Sequence, residues 1–254
     1  MTLASPPLAP AKDGATCRRV LRAEENIAAT ELDSGSIELL SWNIQKARHP
    51  RSMDDLSRFA DGKDLVLIQE APLASALTGA TANTGYWSFA PGYRTARAMT
   101  GVLTLSGTEP LAHCTLTTRE PWLRTPKATD VVQFGLTETR ETLVVVNIHA
   151  INFSIGVRAF TAQLEQVRHV LQDHTGPIIL SGDFNTWRAH RMEVLTTLAD
   201  EMGLTPLTFA IDHRTTAFSH ALDHIYTRGL KARAATTVTV ESSDHNPMSV
   251  ELSL

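Results

Sequence analysis

Residues 178–185 read Ile178-Ile179-Leu180-Ser181-Gly182-Asp183-Phe184-Asn185. The three apolar residues that begin this stretch predict a buried strand, and polar residues start where the apolar run stops. Gly182 permits a sharp turn and a close approach of the backbone to a ligand. Asp183 and Asn185 are two residues apart, so their side chains point to the same side of an extended chain. A carboxylate and an amide at the end of a buried strand suit a phosphate, a hard cation or an attacking water. The alternative interpretation is an Asx turn that caps the next helix.

The composition is that of an ordinary globular protein. The chain has 254 residues, of which 43% are hydrophobic and 20% are charged, so it can bury a sizeable core in one domain or two. The net charge of −4 provides no general attraction for a polyanion. A nucleic acid would therefore have to be held by local positive charge or by a bound cation.

Cys17 and Cys114 are too few for a disulfide framework and lie in no metal-type spacing, which predicts two free thiols in a reducing compartment. No apolar run is long enough for an integral membrane segment. Residues 1–35 begin with an Ala- and Pro-rich stretch that lacks the features of a secretory signal. We expect this segment to be a poorly ordered or loosely packed arm, and we expect the protein to be cytoplasmic.

Residues 36–254 show no composition shift and no internal repeat, which favours a single domain. Apolar runs at 37–44, 65–68, 101–105, 130–136 and 143–146 predict strands, and later strands are expected at 222–226, 236–240 and 247–252. Apolar residues at helical spacing predict helices over 53–60, 157–171 and 192–202. Residues 80–97 are rich in Gly and Thr with no clear period, which predicts a loop.

Several predicted strands share one feature: an apolar run ends in a short polar group. These groups are Asn43, Gln69-Glu70, His149 with Asn152, Asp183 with Asn185, Asp223-His224, and Asp244-His245-Asn246. One such ending is usually a turn or a cap. Six of them, if they lie on one side of a sheet, would form a cleft with definable chemistry.

Oxygen donors dominate these groups and indicate a metal site. Glu70 and Asp244 are ligands suited to a hard divalent cation, and Asn43 and Asp183 can join them directly or through water. Such a set favours Mg²⁺ or Mn²⁺, with Ca²⁺ also suitable. Zinc stays open because several histidines are present.

The histidines that follow strands are candidates for acid–base chemistry or phosphate contact, because imidazole titrates near neutral pH. His149 and His245 are the two that we assign to this chemistry, whereas His224 and His190 are expected to be structural. A carboxylate that orients an imidazole raises its basicity and sets its tautomer. Asp223 is the predicted partner of His245.

The motifs together resemble the endonuclease/exonuclease/phosphatase superfamily, which has the DNase I-like fold. Those that carry the resemblance are Ser41-Trp42-Asn43-Ile44-Gln45, Val66-Leu67-Ile68-Gln69-Glu70, Asn147-Ile148-His149, Gly182-Asp183-Phe184-Asn185, Leu222-Asp223-His224 and Ser243-Asp244-His245. The resemblance covers residues 36–254 and is similar in its later parts to bacterial members without a known substrate. It implies an α/β fold in which two mixed sheets pack face to face with helices outside, a four-layer α-β-β-α sandwich. It also implies a single catalytic domain and metal-assisted hydrolysis of phosphate esters.

The resemblance implies roles for the residues at the metal. Asn43 and Glu70 would hold the metal, and Asp244 would complete that site. Asp183 would orient or deprotonate the attacking water.

The resemblance implies a second group of residues around the phosphate. Asn185 and His149 would contact phosphoryl oxygens, and His245, held by Asp223, would bind the phosphate or take part in proton transfer. In the DNase I branch a Glu supports the histidine that matches His149, and the matching region around Thr100 has none.

Candidate substrate contacts are Arg124, which matches an Arg that approaches a phosphate in DNase I-like nucleases, together with Asn152 and Trp187. Trp187 is placed to stack on a base. Local positive charge that could ring the cleft comes from Lys46, Arg48, His49, Arg51, Arg94, Arg97, Arg124, Lys127, Arg188, His190 and Arg191. Solvated loop charge is the alternative interpretation of these residues.

The sequence therefore predicts a divalent-metal-dependent phosphodiesterase, an endonuclease-like enzyme whose partner is nucleic acid and which needs no obligate protein partner. A phospholipid or inositol-phosphate hydrolase of the same fold is the enzyme alternative. A binding module that retains the fold without catalysis is the third.

Overall fold

A computed structural model describes residues 13–22, 30–73, 85–95 and 98–254. The helices in this part of the chain are α1 (Gly14–Leu21), α2 (Ser52–Ala60), α3 (Arg158–Leu171) and α4 (Ala189–Glu201), and a 3-10 turn spans Gln45–Ala47. The strands are β1 (Ile37–Asn43), β2 (Leu65–Pro72), β3 (Tyr86–Arg94), β4 (Met99–Ser106), β5 (Ala112–Arg119), β6 (Pro126–Gly135), β7 (Thr142–His149), β8 (Ile178–Asp183), β9 (Thr205–Pro206), β10 (Thr216–Ala217), β11 (His220–Ala221), β12 (Asp223–Arg228), β13 (Lys231–Thr237) and β14 (Met248–Ser253).

Twelve of these strands form two mixed sheets of six. Their orders are β13-β14-β1-β2-β4-β3 and β5-β6-β7-β8-β12-β9, while β10 and β11 form a separate hairpin. The β1–β2 and β7–β8 pairs are parallel, so the carboxyl ends of each pair lie at the same edge of a sheet. Strand β12 runs antiparallel to β8 and places Asp223 opposite Asp183 at that edge. The sheet register thus collects the polar strand ends noted in the sequence.

Both faces of strand β7 are buried, which explains its continuous apolar run. Leu143 and Val145 face the core between the two sheets, whereas Val144, Val146 and Ile148 belong to the core beneath α1, α3 and α4. On the other side of the molecule, α2 packs its apolar face onto the outer face of the first sheet. The layers are therefore helix, sheet, sheet, helix, which confirms the predicted four-layer α-β-β-α fold.

The loop predicted over 80–97 is wrong where the structure describes it, because Tyr86–Arg94 forms β3. This strand pairs antiparallel with β4 and buries Ser88 and Ala90. Its inward positions carry small residues instead of large aliphatic ones, so the alternation that marks a strand was weak in the sequence. Residues 80–84 and 96–97 of the same prediction lie outside the described part.

The N-terminal segment is packed where it is described, contrary to the expected loose arm. Helix α1 contacts α3 and β5, and Cys17 is fully buried and bonded to Cys114 as a disulfide. The prediction of two free thiols is therefore wrong. The two Cα atoms are 5.6 Å apart although 97 positions separate the cysteines in the chain. Residues 1–12 and 23–29 lie outside the described part.

The disulfide also removes one argument for a cytoplasmic location, since such bonds persist mainly in oxidising compartments. Within the described residues, every helix is too short or too polar to cross a membrane.

Gly182 is placed where a side chain does not fit. Its φ is 146°, and an added Cβ would lie 2.0 Å from the carbonyl oxygen of Ile148 on the neighbouring strand. We therefore expect Gly182→Ala to lower the free energy of unfolding by about 3 kcal/mol or more, a fall in Tm of roughly 6–12 °C. Thermal unfolding checks this, with Gly85→Ala as the control because nothing lies within 4 Å of its added Cβ. Equal melting temperatures for the two variants would contradict the prediction.

Candidate active site

Five of the predicted site residues lie on strands and meet at one end of the two sheets. Asn43 ends β1, His149 ends β7, Asp183 ends β8 and Asp223 begins β12. Glu70 lies in an irregularity of β2 where the register with β4 shifts, and its φ is 52°. A bulge of this kind turns a side chain away from the regular strand alternation.

Asp183 is the centre of this cluster. Its carboxylate accepts a hydrogen bond from Asn43 Nδ2 at 3.0 Å and one from the backbone N–H of Asn185 at 2.9 Å. Asn185 itself has a φ of 51°, a conformation that non-glycine residues adopt at a cost and that is frequent at functional sites. The Asp183 Oδ2 atom is 3.6 Å from His149 Nε2 and 3.9 Å from His245 Nε2. One carboxylate thus faces both histidines that the sequence singled out.

Burial raises the pKa of the Asp183 carboxyl to about 6. The positive charge of His245 opposes this rise, and the negative charge of Asp223 adds to it. A carboxylate with a pKa in this range can accept a proton near neutral pH, as a general base must.

His245 and Asp223 form the predicted pair. His245 Nδ1 and Asp223 Oδ2 are 2.7 Å apart, both side chains are buried, and Trp42 Nε1 donates to the carbonyl oxygen of His245 at 2.8 Å. Burial alone would lower the pKa of His245, but Asp223 and Asp183 outweigh it and raise the pKa to about 10. His245 is therefore an imidazolium held between two carboxylates, and Trp42 is a core residue that positions it.

His149 has a different environment, because a lysine contacts it. Lys127 Nζ is 2.6 Å from His149 Nε2. Burial lowers the pKa of His149 well below its ordinary value, and the positive charges of Lys127 and His245 lower it further. Burial also lowers the pKa of Lys127. The neutral imidazole therefore accepts a hydrogen bond from the lysine through Nε2.

The donor set fits a divalent cation. The carboxylates of Glu70 and Asp183 both lie within 4 Å of one atom, His149 Nε2, so oxygen donors from two sheets converge. Ligand atoms of Asp183, Asp223 and His245 also lie within 4.8 Å of one another. Glu70 also forms an ion pair with Lys46. Oxygen-rich sites of this kind favour hard cations.

Asp244 lies at the exposed side of this end of the molecule. Its carboxylate accepts a hydrogen bond from Gln45 Nε2 at 2.9 Å. Gln45 is two residues beyond Asn43 in the chain, so Asp244 lies near the end of β1. Its assignment as the residue that completes the metal site stays a prediction.

The predicted substrate contacts differ in position. Asn152 lines the cavity beside the cluster, and its side-chain oxygen accepts from Trp187 Nε1 at 3.1 Å. Trp187 is only partly exposed, and the Arg188 guanidinium lies 4.2 Å from its ring centroid. Arg124 is exposed on the loop between β5 and β6. The roles of these three residues stay predictions.

A cavity of about 530 Å³ opens beside the cluster. Its charged and polar lining residues include Lys46, Arg48, Glu70, Glu120, Lys127, His149 and Asn152. Of the basic residues that the sequence suggested for a ring around the cleft, Lys46, Arg48 and Lys127 line this cavity, and Arg97 lies outside the described residues.

Glu120 and the role of Lys127 were missed in the sequence. Glu120 is buried, and its Oε1 accepts from the backbone N–H groups of Asn152 and Phe153 at 3.0 and 3.2 Å. It therefore holds the loop that follows His149.

Two face-to-face mixed sheets with outer helices, and a cluster of carboxylates and histidines at one end, define a hydrolase of the phosphoesterase type with the DNase I-like fold. Residues 40–245 match the Endonuclease/Exonuclease/phosphatase family, and the chain belongs to this family.

This chain is similar to several individual proteins over most of their length. A UPF0294 protein of Vibrio parahaemolyticus is 34% identical over 225 residues, which cover 87% of this chain and 79% of that protein. The human Nocturnin catalytic domain has a TM-score of 0.66 at 16% identity, with 88% of this chain and 96% of that chain covered. A mannosyl-6-phosphatase of Bacteroides thetaiotaomicron has a TM-score of 0.63 at 14% identity, with 86% of this chain and 100% of that chain covered. These two structures share the fold.

Proposed function

We propose that the protein is a divalent-metal-dependent phosphodiesterase that cuts nucleic acid, with Mg²⁺ or Mn²⁺ as its cofactor. The observation that carries this proposal is the convergence of Glu70, His149, Asp183 and His245 around one point beside an open cavity. Phosphoester hydrolysis requires a base for the attacking water and positive charge near the phosphoryl oxygens. This cluster provides both.

In the reaction, Asp183 orients the attacking water and accepts its proton as the new P–O bond forms. The P–O bond to the leaving group breaks, and the leaving oxygen takes a proton from solvent water. Asn43 holds the Asp183 carboxylate in place through its amide. The His245 imidazolium, anchored by Asp223, stabilises the negative charge that builds on the phosphoryl oxygens. Asn185, two residues beyond Asp183, contacts a further phosphoryl oxygen in this mechanism. Glu70, Asn43 and Asp244 would hold a divalent cation, which would supply Lewis-acid stabilisation of the phosphate.

Nucleic acid is the proposed substrate because basic side chains line the cavity on a protein whose net charge is negative. Lys46, Arg48 and Lys127 place positive charge where a polyanion would enter. Endonucleolytic cutting fits a cavity that is open at the surface.

A phospholipid or inositol-phosphate hydrolase is the second candidate, and one observation favours it. Two adjacent loops expose large apolar side chains near the cavity: Trp122, Leu123, Phe153 and Ile155 are 65%, 64%, 58% and 76% exposed. Leu123 and Phe153 also line the cavity. Exposed apolar groups near a phosphate site suit a substrate with a lipid part.

A substrate panel tests the proposal and separates the candidates. We expect plasmid DNA, RNA or abasic duplex to be cut in Mg²⁺ or Mn²⁺, and we expect EDTA to abolish cutting until the metal is restored. Each substrate, together with phosphoinositide vesicles, is incubated with several divalent cations and products are quantified.

Two outcomes would contradict the nuclease assignment. Release of lipid head-group phosphate while nucleic acids stay intact would support the second candidate. Binding of a substrate without metal-dependent turnover would indicate a binding module.

A further inference from the structure

Lys127 is a buried cation whose ion pair with Glu120 is long, and the negative charges of Asp183 and Glu70 act on it from further away. Lys127 is 9% exposed, and the carboxylate oxygen nearest to its Nζ is Glu120 Oε1 at 4.0 Å. That oxygen already accepts two backbone hydrogen bonds from the loop at Asn152 and Phe153. The close partner of the ammonium group is the imidazole of His149, whose Nε2 lies 2.6 Å from Nζ.

Such a cation is costly to bury. Charged groups inside a protein are normally paired, since desolvation of an ammonium group is not recovered from a neutral partner. Lys46 illustrates the usual solution in the same cavity, because it forms an ion pair with Glu70. Lys127 lines the cavity and has two further N–H donors after the bond to His149. An anionic ligand in the cavity would bring a negative charge within hydrogen-bond distance of the ammonium group.

We propose that Lys127 is a phosphate-binding residue of the reaction centre, whose ammonium group donates to a phosphoryl oxygen of the substrate while it holds His149. This proposal rests on the proposed phosphoesterase function and deepens it.

The test is phosphate binding, measured by titration calorimetry with inorganic phosphate in EDTA. We expect Lys127→Met to weaken the affinity by about tenfold or more, because a charge-assisted hydrogen bond is lost. Lys127→Gln, which keeps a donor without the charge, is the second variant in case the first does not fold. Lys231→Met is the control, because this lysine is exposed on β13 at the edge of its sheet.

Thermal unfolding separates a binding role from a structural one. Without phosphate, Lys127→Met should melt at the wild-type temperature or above it, since a buried charge whose nearest carboxylate oxygen is 4.0 Å away is removed. With phosphate, the rise in Tm of the wild type should be lost in the variant.

Two results would overturn the proposal: equal phosphate affinity in Lys127→Met and wild type, or no phosphate binding by the wild type. Its failure is distinct from failure of the proposed function. A wild type that hydrolyses nucleic acid while Lys127→Met retains phosphate affinity and kcat/KM removes the role of Lys127 alone. A wild type with Lys127-dependent phosphate binding and no turnover of any substrate removes the enzymatic function alone.

Discussion

Asp183→Asn lowers the rate of metal-dependent hydrolysis by about a hundredfold to ten-thousandfold, the range expected for loss of a general base. The variant retains the shape of the side chain and can still bond to the backbone at Asn185, but its amide oxygen does not accept a proton at neutral pH. The loss should therefore fall on kcat. Steady-state kinetics on the best substrate of the panel measures it.

Asp130→Asn is the matched control for this variant. Asp130 is another fully buried carboxylate on β6; it is bonded to His113 and Ser88, and it does not line the cavity. We expect the control to lower Tm and to keep kcat when assayed below its melting transition. An Asp183→Asn variant with wild-type kcat would show that another group accepts the proton.

Asp223→Asn and His245→Gln each lower kcat by about a hundredfold or more, and the double variant loses no more than the worse of the two. The reason is that Asp223 acts through His245, to which it is bonded at 2.7 Å. Once the imidazole is gone, the carboxylate has nothing left to orient or to charge. A double-mutant cycle in kcat measures this coupling.

His113 and Asp130 provide the matched pair for this cycle. They are also buried and 2.7 Å apart, but they do not line the cavity. In the double variant of His113→Gln and Asp130→Asn, the fall in Tm should differ from the sum of the falls in the two single variants. The kcat should stay unchanged in all three. Additive losses for Asp223 and His245 would mean that the two residues act separately in the reaction.

Strand and helix positions were largely predictable because they depend on local periodicity. The run at 143–146 and the helical spacing over 157–171 correspond to β7 and α3. Strand β3 was not predictable in this way, since its buried positions hold Ser88 and Ala90. The disulfide was not predictable either, because nothing in a 97-residue separation shows that α1 lies against β5.

The candidate site was partly predictable for a related reason. Residues such as Asp183 and His149 stand at the ends of apolar runs, so their type and their place on a strand are visible in the sequence. Lys127 carries no such mark, and its contact with His149 depends on the packing at the cavity. The resemblance suggested a missing acidic support for His149, and the structure shows a lysine in contact with it.

The sequence by itself determined the family, the α/β alternation and the set of polar groups that end the buried strands. Only the tertiary structure decided which of these groups touch: Asn43 with Asp183 across 140 positions of the chain, His245 with Asp223, and Lys127 with His149. The physical reason is that periodicity in a sequence reports the local burial of each residue. Distances between side chains on different strands are set by sheet register and by the packing of two sheets, which no local pattern contains.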